Sequence, residues 1–81
     1  MLHAQQIRAA RAMLRWTAKE LAEKAGVSLI TIQRMESAEG VPGGLAKNLA
    51  AVQRALEEAG IVFLAADGSG GPGVRLSPPN G

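Results

Sequence analysis

The chain has 81 residues, enough for one small domain and too few for a second core. It has no cysteine and a single histidine, His3, so a disulfide framework and a cysteine-based zinc site are excluded, and no metal is expected. Nine Lys and Arg against seven Asp and Glu give a net charge of +2, and no apolar run approaches the ~18 residues of a membrane span.

The N-terminus lacks the compact apolar core of a signal peptide, and the absence of cysteine fits a bacterial cytosol, so a cytoplasmic protein is expected. Residues 1–19 hold Arg8, Arg11, Arg15 and Lys19 and no acid, whereas residues 36–67 hold Glu36, Glu39, Glu57, Glu58 and Asp67 against Lys47 and Arg54. A basic N-terminal third reads either as a surface for an anionic partner or as a solvated helix face.

In chain order, the first helix is predicted from Gln5 to Arg15, after a disordered end that contains His3. Ile7, Ala10 and Leu14 form its apolar stripe, and Arg8, Arg11 and Arg15 form a second row at helical spacing. The second helix starts at Thr17, an N-cap whose capping box is completed by Glu20. Trp16 and Leu21 make a hydrophobic staple, so Trp16 reads as a core wedge, and Gly26 stops the helix. Ser28 caps a third helix that runs to about Ala38, with Val27 and Ile32 as its staple.

The fourth helix is predicted over Leu45 to Ala59, with Leu45, Leu49, Val52 and Leu56 on one face. "IVFLA" at 61–65 and "VRL" at 74–76 read as two short strands around a glycine-rich loop. The expected organisation is a helical domain over 1–59, a hairpin or extended arm over 60–77 that is a candidate dimerisation element, and a disordered tail over 78–81.

The second and third helices are separated by a short turn that contains glycine, the spacing of a helix-turn-helix unit. Close crossing needs a small residue in the middle of the second helix, and Ala22 is there. The turn needs a flexible residue, supplied by Gly26, while Leu21, Ala25, Val27, Ile32 and Met35 close the angle from both sides.

The run "AKELAEKAGVSLITIQRMES" resembles the helix-turn-helix of phage-repressor and Cro-like (XRE-type) transcription regulators. "QIRAARAML" resembles that family's first helix and Leu45 to Ala59 its fourth, so the resemblance spans roughly residues 5–60. "GIVFLAADGSGGPGVRL" resembles the short C-terminal extension of many small bacterial members. The resemblance implies a mainly α, four-helix repressor-like domain with a C-terminal β-hairpin or β-arm. It also implies an ion pair between Arg11 of the first helix and Glu36 near the end of the third, and a third helix lying in the major groove of double-stranded DNA.

Helical geometry alone says which residues of that helix face outward. At 100° per residue, with Ile32 taken as the core direction, Ser28 and Met35 fall within about 60° of it, and Ile30 and Arg34 lie nearly opposite. Gln33 and Ser37 flank them, and Leu29 sits at the edge, either core or rim. The base-facing set is therefore Leu29, Ile30, Gln33 and Arg34. An outward apolar side chain can meet a thymine methyl, Arg34 suits guanine, and Gln33 suits adenine or a phosphate. Thr17, Lys19, Ser28, Thr31 and Ser37 are the candidate phosphate contacts.

Two positions depart from the family pattern. Its usual glutamine in the first turn of the second helix is Ala18 here, with Lys19 next door, and the loop "AEGVPGG" offers no basic contact and adds Glu39. These departures, with Leu29 and Ile30, also suit a protein-interaction module on the same fold, such as an antiactivator or antitoxin-like partner. "GSGGPG" satisfies G-x-G-x-x-G, but "VRLSPP" follows it instead of the helix that phosphate binding needs. No nucleophile–base pair or carboxylate dyad is present, so neither catalysis nor a cofactor is expected. The expected function is a sequence-specific transcriptional regulator, a repressor, acting as a homodimer on a partly palindromic site.

Overall fold

The computed structural model describes residues 2–78 and contains four helices followed by two strands: α1 (Ala4–Leu14), α2 (Ala18–Ala25), α3 (Leu29–Ser37), α4 (Ala46–Glu58), β1 (Ile61–Leu64) and β2 (Gly73–Leu76). Apart from Pro78, the expected tail lies outside the described residues. The local signals act where they stand. The Glu20 amide donates to Thr17 Oγ1 at 3.1 Å and the Thr17 amide donates to the Glu20 carboxylate at 3.2 Å, closing the capping box of α2. Gly26 ends α2 with φ 72°, the left-handed conformation that costs glycine least. Ser28 Oγ then accepts from the Thr31 amide at 3.1 Å and starts α3.

The core lies where the helices converge. Ile7 of α1, Leu21 of α2, Ile32 of α3 and Val52 and Leu56 of α4 are fully buried, each contributing roughly 1.5–3 kcal/mol of burial. Ala22 is buried as well, which lets α2 cross its neighbours closely. Leu14, Trp16, Ala25 and Val27 pack on the rim of this cluster. Trp16 carries Lys24 Nζ 5.6 Å from its ring centre.

Three expectations need correction. Leu45 does not join the inner face of α4. It is the residue before the first turn and is 61% exposed, because the helix begins one residue later and its face starts at Leu49. The chain around His3 is ordered into the fold. Leu2 is buried, and the Ala4 amide donates to the Gly40 carbonyl at 2.8 Å, tying the start of α1 to the loop after α3. Arg15 lies beyond α1, as its left-handed cap.

The hairpin is antiparallel, with Ile61 opposite Leu76 and Leu64 opposite Gly73. It packs on α1 and α4 through Ile61, Phe63 and Val74. Gln6 fixes it there. This buried side chain donates from Nε2 to the carbonyls of Leu64 (3.1 Å) and Gly73 (3.0 Å), while its Oε1 accepts from the His3 amide at 2.8 Å. One amide nitrogen can reach both carbonyls only if they face each other across the strand pair. The Ser77 amide donating to the Gly60 carbonyl at 2.7 Å fits the same alternation. The backbone groups of residues 61, 63, 74 and 76 therefore point toward the outer edges. On the β2 edge the flanking positions of the same parity are Pro72 and Pro78, which have no N–H. On the β1 edge Ile61 is only 3% exposed. Neither edge offers a long open ladder to another chain, as edge strands are commonly blunted.

Candidate functional site

The residues singled out on α3 separate into a buried side and an open side, with Thr31 and Glu36 half-buried between them. Ile32 and Met35 face the core, and α3 is held from behind by α1. Arg11 Nε and Nη2 donate to the two carboxylate oxygens of Glu36 at 2.8 and 2.9 Å, a bidentate pair with 27% and 11% side-chain exposure. Arg11 Nη1 also donates to the Trp16 carbonyl at 3.0 Å, and Arg8 donates to the Glu36 carbonyl. The Glu36 hydrogen bonds raise the Arg11 guanidinium above its already high pKa, partly opposed by desolvation and aided by the Glu36 charge. Two arginines of the α1 row thus anchor the C-terminal end of α3, while Arg15 is not part of this clamp.

The opposite face of α3 is open. Ile30 is 58% exposed and Leu29 38%, so Leu29 belongs to the rim; Gln33, Arg34 and Ser37 are exposed too. Lys19 is exposed on the first turn of α2, where Ala18 instead packs against the core.

The hydroxyls named as phosphate contacts are partly committed already. Thr17 Oγ1 accepts within its cap but keeps its own hydrogen free. Ser28 Oγ and Thr31 Oγ1 share a 2.8 Å hydrogen bond, leaving one donor between them. Ser37 Oγ donates to the Arg34 carbonyl at 3.1 Å, which uses its only hydrogen. Of the five, Lys19 and Thr17 are the best available donors, and Ser37 is the poorest.

A cleft of about 420 Å³ flanks this face, lined by Thr31, Arg34 and Met35 of α3, Gly43, Gly44 and Leu45 of the following loop, and Asn48 of α4. Sequence reasoning missed this cleft because the loop path that brings Leu45 and Asn48 to α3 has no periodicity to read. It also missed Gln6. Its inward position was detectable, since Gln6 stands four residues before Ala10 on the row that faces the interior.

Among the described residues no group of three His, Asp or Glu side chains is placed to hold a metal ion. No helix among them is long and apolar enough to cross a membrane. A protein-family model described as helix-turn-helix matches residues 7–52, more than half of the chain, from the buried Ile7 of α1 to the buried Val52 of α4. No curated protein matches the chain in sequence.

Proposed function

We propose, from the premise that this chain belongs to the XRE-type helix-turn-helix family of DNA-binding regulators, that it is a cytoplasmic, sequence-specific repressor that reads the major groove with α3. The observation that carries this reading is the contrast between the two faces of α3. One is sealed into the core and clamped through Glu36. The other presents Ile30, Gln33 and Arg34 to solvent, with Leu29 at its rim.

In this reading Arg34 donates to guanine O6 and N7, Gln33 meets adenine or a phosphate, and Ile30 meets a thymine methyl. Lys19 and Thr17 hold the phosphate backbone, with Ser28 and Thr31 as secondary donors. One module of this size covers too little DNA for tight specific binding, so two copies act together on a partly palindromic site. The hairpin is the element that joins them. With both of its edges blunted, the outer face of the sheet, where exposed Leu64 stands on the side opposite Phe63 and Val74, is the surface for that contact.

Selection of bound sequences from a random duplex pool at low salt tests the proposal. The expected result is an enriched, partly palindromic site. The second reading, a protein-interaction module, is favoured by the exposed pair Leu29 and Ile30 and by exposed Leu45 beside the cleft. Under it the duplex pool yields no enriched site, and Ile30→Asp abolishes a protein complex whose affinity varies little with salt.

A further inference from the structure

Arg15 is the one non-glycine with positive φ among the described residues, at φ 58° and ψ 34°. In that conformation Cβ crowds the carbonyl that follows, so the position favours glycine, or asparagine at small cost. This chain uses glycine for the same task one helix later, where Gly26 ends α2 at φ 72° and ψ 31°.

Packing does not explain the arginine. Residue 15 is exposed, and among the described residues its guanidinium takes part in no hydrogen bond or ion pair, whereas Arg8 and Arg11 are both engaged with Glu36. A free cation therefore stands at the junction of α1 and α2, four residues before Lys19, on a backbone that a smaller residue would suit better. Residues held in sparsely populated backbone regions cluster at functional sites.

We propose that Arg15 is a DNA-backbone contact, retained against the local backbone preference because its guanidinium grips a phosphate beside the one held by Lys19. The inference rests on the DNA reading above. The planar guanidinium fork matches two phosphate oxygens.

The test compares the full chain with Arg15→Gly, Arg15→Lys and Lys19→Ala, by thermal melting and by binding to a labelled random-sequence duplex over a salt series. Arg15→Gly is expected to melt above the wild type yet bind more weakly at low salt. Its plot of log affinity against log salt should be shallower by about one unit. Arg15→Lys should keep the wild-type slope and show no gain in melting temperature. Wild-type binding and slope in Arg15→Gly, with a loss in Lys19→Ala, overturns this inference and leaves the DNA reading standing. A melting temperature of Arg15→Gly below the wild type overturns it too, because the arginine would then serve the fold. Absence of duplex binding by the wild type at low salt overturns the DNA reading and this inference together.

Discussion

Arg11 does more than balance Glu36, and that asymmetry can be measured. Arg11→Met removes the ion pair and also leaves the Trp16 carbonyl without its donor, whereas Glu36→Leu removes the pair alone. Both positions retain some solvent, so each single change is expected to cost roughly 1–3 kcal/mol, below the range for fully buried pairs. Arg11→Met should be the costlier. A denaturant-based double-mutant cycle should give a coupling of about 0.5–3 kcal/mol, and strict additivity would show that the two side chains act independently. Neighbouring isoleucines on α3 make a second comparison. Ile32→Ala empties a fully buried site and is expected to cost about 2–5 kcal/mol, whereas Ile30→Ala should stay within about 0.5 kcal/mol. Equal losses at the two positions would mean that the faces of α3 are assigned wrongly. Ile30 and Ile32 were separable from sequence because a helix turns 100° per residue. Leu29 was not, since it stands about 60° from Ile32, no further than buried Met35, and only the neighbours decide.

At the level of elements, the caps carried most of the legible information. Thr17, Glu20, Gly26 and Ser28 mark the ends of α2 and the start of α3 through short-range hydrogen bonds that need no knowledge of the rest of the chain. Gly26→Ala isolates one of these signals. A methyl there meets nothing within 4 Å, so its cost is backbone strain alone, about 1 kcal/mol in thermal or chemical unfolding. A much larger loss would point to a clash that the geometry does not contain. The start of α4 was less legible, because Leu45 fits the apolar row by spacing and is excluded only by where the loop from α3 delivers it. The relation of hairpin to helices was illegible for the same reason, and it changes what truncation should do. Sequence alone suggests a helical domain at 1–59 that stands without its arm. With Ile61 buried, Phe63 and Val74 against the core, and Gln6 bonded to both strands, a chain ending at Ala59 is expected to lose cooperative unfolding rather than persist as a folded monomer. A sharp melting transition in that truncation would refute the dependence.

For the molecule as a whole, a net charge of +2 is too small to make DNA binding a matter of bulk attraction, so the individual cations that reach the duplex must act locally. Lys19→Ala is expected to weaken binding to all duplexes alike and to lower the salt slope by about one, while Arg34→Ala should cost ~1–3 kcal/mol and relax preference at one base pair. If Arg34→Ala weakened every sequence equally, Arg34 would be a backbone contact. The proposed homodimer predicts a concentration-dependent mass by sedimentation that Leu64→Asp reduces to that of a monomer, and a monomer at high micromolar concentration would remove the hairpin from that role. Gln6 has one more effect, on the order in which the protein can be completed. Its acceptors lie 58 and 67 residues further along the chain. During synthesis α1 emerges with this amide exposed, and through the whole production of the helix-turn-helix no native strand exists to receive it. An amide left unpaired in a dry interior is costly, so the nascent helices have reason to stay loosely collapsed until the second strand arrives, and β2 is then the element that locks α1.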